Sequence, residues 1–93
     1  MRMHRIFLGL NGTSLEAVSH MLARYVQNAT VLPCAGLWHG EVENAACVEI
    51  VELDDVIPGQ FEETIERIAT EAKNQFGQDA VLYVREDTYA RVL

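Results

Sequence analysis

Large apolar residues alternate with polar ones along Arg5-Ile6-Phe7-Leu8-Gly9-Leu10, the period-two pattern of a half-buried strand. Asn11-Gly12 breaks the pattern, and Thr13-Ser14-Leu15-Glu16 follows as a capping box, with the Thr13 hydroxyl serving the Glu16 N–H. Leu15, Val18, Leu22 and Tyr25 then recur at helical spacing, with His20, Arg24 and Gln27 on the other side. Asn28, which tolerates a left-handed backbone, predicts the end of this helix. Thr30 to His39 and Glu41 to Leu53 read as two strands of a hairpin. A second helix is announced by Asp54-Asp55 at its positive dipole end and by Pro58 in its first turn. Its apolar stripe runs Phe61, Ile65, Ile68, Ala69, Ala72 and Phe76, and Gly77 closes it. Gln78 to Arg85 is the fourth strand, and Tyr89 to Leu93 reads as a short fifth.

The order strand, helix, strand, strand, helix, strand predicts an α+β fold: a ferredoxin-like βαββαβ sandwich whose antiparallel sheet carries both helices on one face. Right-handed crossovers put the first and third strands in the centre. Length matches one domain over residues 1–93.

Alternation also sorts side chains between the two sheet faces. Val31, Ala35, Leu37, Val42, Ala46, Val48 and Ile50, with Ile6, Leu8 and Leu10, should meet the helices. The opposite face then carries Phe7, Gly9, Leu32, Cys34, Gly36, Trp38, Glu43, Ala45, Cys47, Glu49 and Val51, joined by Val81 and Tyr83. So apolar a face predicts contact between subunits, because monomers rarely expose such a patch. Carboxylates set in it need a counter-charge, or a cationic ligand.

The hairpin tip concentrates the chemistry. With Gly40-Glu41 as the central residues of a type II′ turn, Trp38 lies across from Glu43 and Cys34 across from Cys47. Trp38 and Glu43 then offer a ring for stacking beside a carboxylate for a positive group, as a sulfonium or ammonium ligand requires. The alternative is a Trp that fills a subunit interface with Glu43 at its wet rim. Asp79 opens the fourth strand, either as a turn residue or as a second acidic group on the outer face beside Val81 and Tyr83.

Composition narrows the remaining classes. The net charge of −7, with seven scattered basic residues, opposes nucleic-acid binding, which needs a basic stripe. No apolar run approaches a membrane span, and the amino terminus lacks a secretory pattern, so a cytoplasmic location is expected. Two cysteines are too few for a disulfide framework or a thiolate zinc site, and both are expected as reduced, packed thiols. His39 with Glu41 and Glu43 lacks the spacing of a metal site, and no cofactor motif is present. Neither Ser14 nor Ser19 has a base nearby in sequence. The Gly-Leu-Asn-Gly run after the first strand is no phosphate fingerprint, and Asn11-Gly12 reads simply as the loop into the helix.

The pattern Gly36-x-Trp38-x-Gly40-x-x-Glu43, followed by Gln78-Asp79-Ala80-Val81-Leu82-Tyr83-Val84, resembles small phage-encoded S-adenosylmethionine lyases. The likeness covers roughly Gly36 to Leu93. It implies a trimeric PII-like variant of the ferredoxin-like fold, with the ligand held between copies of the chain in the host cytoplasm. It further implies cleavage of S-adenosylmethionine to methylthioadenosine and homoserine lactone, with no metal and no enzyme nucleophile. On that resemblance Glu43 faces the reacting centre, Asp79 holds the α-ammonium group, and Trp38 and Tyr83 complete the substrate contacts. Two departures stand out: such lyases run longer at the carboxyl end, and Trp38 replaces the more usual Tyr. A non-enzymatic PII-like trimer that binds a nucleoside, and a purely structural oligomer, therefore remain as alternatives.

Overall fold

Ile6 and Leu8 point from strand β1 (Arg2–Gly9) into the same buried layer as Ala46, Val48 and Ile50 of strand β3 (Glu41–Glu52). The register explains this, since Ile6 pairs with Val48 and Leu8 with Ala46. Val18, Met21 and Leu22 of helix α1 (Leu15–Leu22) close over that layer, together with Ile65, Ile68, Ala72 and Phe76 of helix α2 (Gln60–Phe76). Both helices thus cover one face of one sheet. Strands β2 (Thr30–Trp38) and β4 (Leu82–Asp87) flank the central pair in the order β2-β3-β1-β4, and every pairing is antiparallel. This is the predicted ferredoxin-like arrangement. The computed structural model describes residues 1–52, 60–77 and 81–91. Among them no helix is long and apolar enough to cross a membrane.

Four local features depart from the sequence reading. The hairpin turn is His39-Gly40, with φ of 48° and 79°. Two left-handed residues make a type I′ turn, which suits the sheet twist as well as the expected type II′. Gly40 fits either position, and His is among the few side chains that tolerate a positive φ. The register therefore slips by two: Trp38 faces Glu41, Gly36 faces Glu43, Cys34 faces Ala45 and Leu32 faces Cys47. A two-residue slip preserves the face of every side chain.

Helix α1 is capped by Ser14, whose hydroxyl accepts from the Ala17 N–H at 3.1 Å. The expected cap, Thr13, instead donates its backbone N–H to the Leu10 carbonyl at 2.7 Å. At the other end the helix stops at Leu22, well before Asn28, because the N–H groups of Arg24, Tyr25 and Val26 fold back onto the Met21 and Leu22 carbonyls. Helix α2 ends at Gly77, whose φ of 66° gives the left-handed C-terminal residue that the sequence predicts. Asp54, Asp55 and Pro58 lie outside the described residues.

Strand β4 runs to Asp87, beyond the expected end at Arg85, and Tyr89–Arg91 form no strand. Its register places Tyr83 opposite Ile6, so Tyr83 belongs to the helix side and not to the open face, while Val81 packs against the core and also reaches the groove of the open face. Val81-Leu82-Tyr83-Val84 is apolar throughout, so alternation within the strand carries no face signal; only pairing with β1 decides it. Finally, Leu37 and Val42 pair on the helix side yet stay 72% and 78% exposed. The β2–β3 hairpin runs past the helices, in a molecule measuring 39 × 22 × 22 Å.

Pro33 interrupts β2 without harm. Counting from the closing pair Trp38–Glu41, Pro33–Ala46 is a non-hydrogen-bonded pair, so the missing N–H faces the free edge of the sheet.

Candidate functional site

The sheet face without helices is arranged in rows that follow from the register. Nearest the hairpin tip lies Trp38, then Gly36 beside Glu43, then Cys34, Ala45 and Gly9, then Leu32, Cys47, Phe7 and Leu82. Gly9, Ala45, Gly36 and Cys34 are all small, so the middle rows sink below their neighbours. The result is a groove of about 650 Å³, walled by Phe7 and Leu82 on one side and by Trp38 on the other. It is the apolar recess with few polar groups that small-molecule sites favour.

Among the described residues, Glu43 is the acidic group that lines this groove. Its side chain lies across Gly36: a Cβ added there would sit 3.6 Å from the Glu43 Cγ and 3.8 Å from its Oε1. Trp38 stands diagonally from Glu43 on the same face, 53% exposed, with the His39 ring against its edge at 4.8 Å. The structure therefore brings Trp38 and Glu43 together in one recess, as the sequence implied, though not as a directly opposed pair.

Further along the face, Arg5 answers the second carboxylate. Its Nε donates to Glu49 Oε2 at 2.8 Å, and its Nη1 donates to Glu86. Glu43 has no such ion pair among the described residues. The two thiols are free. Burial, with Glu49 nearby, pushes the Cys47 thiol above its ordinary value, which removes nucleophilic thiolate at neutral pH. Among the described residues no three His, Cys, Asp or Glu side chains converge as metal ligands would.

Of the other two residues expected at the site, one falls outside the described residues and one does not line this recess. Asp79 lies outside the described residues. Tyr83 lies on the helix side of the edge strand β4, 37% exposed, where its hydroxyl is 2.5 Å from Nδ1 of the fully buried His4 and its ring stacks at 5.7 Å. His4 Nε2 is hydrogen-bonded to Glu52 Oε2 at 2.8 Å, so both ring nitrogens are engaged, one by the carboxylate and one by the Tyr83 hydroxyl. Phe61 of α2 packs on the His4 ring at 4.7 Å. Burial raises the Tyr83 phenol, keeping it a donor. Tyr83 thus ties β4 to β1 and β3.

A second depression follows the outer flank of α2, beside Tyr25, Glu63, Glu66 and Glu71. There Glu71 is taken up by Arg24 at 2.5 Å, and the hydrogen bond to Glu71 raises the Tyr25 phenol. It is a charged helix surface in which Arg24 answers Glu71.

Sequence reasoning missed Asn11 and Leu82, which both line the groove. The Asn-Gly pair directly after β1 was a legible turn signal, but its place beside the recess depends on how the end of β1 meets the end of α2.

No protein-family model matches the chain, and no curated protein matches it in sequence. Among solved structures, a phage SAM lyase in complex with S-methyl-5′-thioadenosine aligns with a TM-score of 0.78 at 20% identity, covering 92% of this chain and 80% of that one. A phage SAM lyase in the apo state aligns at 0.77 and 21% identity, over 91% and 78% of the two chains. A de novo designed protein, Foldit4, reaches 0.52 at 16% identity over 95% and 96% of the two chains. What the chain shares with the phage SAM lyases is the fold.

Proposed function

We propose that this protein is an S-adenosylmethionine lyase-like enzyme, converting S-adenosylmethionine to methylthioadenosine and homoserine lactone in the open-face groove. The observation that carries this reading is the alignment, over 92% of the chain, with a phage SAM lyase that holds S-methyl-5′-thioadenosine. The groove supports it chemically, because it joins an aromatic ring and a carboxylate with no ion pair among the described residues, in an apolar recess on a protein of net charge −7. Such a field favours a cationic substrate.

The reaction asks little of the protein beyond orientation. A carboxylate oxygen of the substrate attacks its own γ-carbon, the C–S bond breaks, and the electron pair returns to sulfur. The sulfonium becomes a neutral thioether and the carboxylate an ester, so no proton and no external nucleophile is consumed. Charge disappears along the path, which makes a dry recess better than water for the transition state. Folding the substrate so that oxygen and γ-carbon meet in line supplies the rest.

In this reading Glu43 faces the reacting centre, and Trp38 stacks on the substrate with its ring face toward positive charge. Asp79 is assigned the α-ammonium group. Once the sulfonium is discharged, Glu43 loses its counter-charge in the ligand, and the neutral thioether is held less tightly than the substrate. A homotrimer formed through the open faces closes the groove against solvent.

The direct test is to incubate the purified protein with S-adenosylmethionine and follow methylthioadenosine by chromatography. Its appearance in proportion to enzyme supports the lyase. If none forms, a melting temperature that rises with S-adenosylmethionine concentration identifies a non-enzymatic binder, and no rise leaves a structural oligomer.

A further inference from the structure

The loop between β1 and α1 sets a carboxamide against the groove, and no hydrogen bond among the described residues engages it. The Thr13 N–H to the Leu10 carbonyl closes a four-residue turn around Asn11 and Gly12, whose φ values are 48° and 82°. Two left-handed central residues again make a type I′ turn. The Leu10 N–H, bonded to the Asn44 carbonyl at 2.9 Å, fastens this turn to β3. Asn11 is therefore held across the recess from Trp38, since β3 lies between β1 and β2. Its amide nitrogen comes within 3.5 Å of the point where a Gly77 Cβ would stand, and both residues line the groove. Among the described residues the carboxamide has no hydrogen-bond partner.

A carboxamide offers a donor and an acceptor side by side. That pair complements adenine, whose exocyclic amine sits next to a ring-nitrogen acceptor, and it is how Asn reads adenine elsewhere. The floor of the groove at Gly9 and Ala45 carries nothing longer than a methyl group, so a flat ring can lie against the sheet there, between the Glu43 side chain over Gly36 and Asn11, with its edge toward Asn11. Resting on the lyase reading, which supplies an adenosine-bearing substrate, we infer that Asn11 reads the adenine edge and makes the groove selective for adenine over purines without the 6-amino group.

The turn alone also accounts for an Asn-Gly pair, so the test must separate the two roles. Binding of 5′-methylthioadenosine and of its 6-deamino analogue is measured by titration calorimetry on wild type, Asn11→Gly and Asn11→Asp. Glycine adopts the left-handed turn freely, so Asn11→Gly keeps the wild-type melting temperature while losing the side chain. Wild type should prefer the 6-amino ligand by about tenfold, and Asn11→Gly should bind the two equally well. Asn11→Asp should keep a preference for the amine, which its carboxylate accepts, but bind both ligands more weakly through repulsion of the ring nitrogen. A preference undiminished in Asn11→Gly, or none in wild type, overturns the role of Asn11 and leaves the nucleoside site standing. Failure of wild type to bind either ligand removes that site, and the role of Asn11 with it.

Discussion

Glu43 and Gly36 form one functional unit, because the absence of a side chain on Gly36 is what lets the Glu43 side chain lie over β2. A lone methyl would fit at ordinary contact distances of 3.6–3.8 Å, so Gly36→Ala should fold normally. Gly36→Leu would fill the recess instead: its stability should stay within about 1 kcal/mol of wild type, the span of strand preferences, while calorimetric binding of methylthioadenosine disappears. Binding retained at wild-type strength would place the ligand elsewhere. The charge of Glu43 can be tested apart from its shape. Glu43→Gln keeps the volume, so melting temperature and oligomeric state should not change, and turnover should be lost. A hydrogen bond to a charged group contributes about 1.5 kcal/mol or more, so affinity for the sulfonium substrate should fall roughly tenfold while affinity for the neutral thioether holds. Equal loss for both ligands would mean that Glu43 acts through shape, and unchanged activity would remove it from the mechanism.

At the scale of elements, the His4–Glu52–Tyr83 chain, buried at His4 and Glu52 and exposed at Tyr83, joins three strands, and its members are not interchangeable. Tyr83→Phe keeps the stacked ring and loses one hydrogen bond, a cost of about 1 kcal/mol by urea denaturation. His4→Ala leaves Glu52 unpaired and opens a cavity beside Phe61, and should cost roughly 3 kcal/mol or more. Equal costs would mean that the ring stacking and the carboxylate contact contribute nothing. Glu62, in the first turn of α2, gives the pH dependence. Its own backbone N–H, with Arg85 and Arg2 at 2.9 Å, holds its carboxyl below the ordinary value. A depressed folded value stabilises the protein above the ordinary carboxylate range and ceases to do so as pH falls through the depressed value. Glu62→Gln should therefore melt below wild type at neutral pH, with the gap closing in acid. The same elements mark what the sequence made legible. Strand alternation, the α2 stripe and the element order carried the fold, because each is a pattern repeated over many residues. The turn type, the end of α1 and the face of Tyr83 were not legible, because each hangs on one or two backbone angles or on pairing with a distant strand. Trp38 and Glu43 survived the register slip because a slip of two residues leaves faces unchanged. Asn11 had no such protection, and Asp79 lies outside the described residues.

For the whole molecule the question is what covers the open face. Leu82 is 61% exposed there, with Trp38, Leu32 and Val84 also uncovered, and a patch of this kind on an isolated chain favours association. Opposing it is the charge of −7 on every copy, which repels like copies at a range set by salt, about 10 Å at 0.1 M. The two forces make opposite demands on ionic strength, and so can be told apart. If apolar burial drives assembly against charge repulsion, sedimentation velocity should show one trimeric species that forms at lower protein concentration as salt is raised. An assembly held by ion pairs between copies would weaken with salt instead. Leu82→Lys puts a charge in the middle of the apolar row without touching the helix-side core, so it should give a folded monomer with native circular dichroism. That monomer should also lack turnover, since the groove is then open to water and the substrate carboxylate stays hydrated. A wild-type protein that remains monomeric at every salt and protein concentration, yet still releases methylthioadenosine, would show that a single open face orients the substrate unaided.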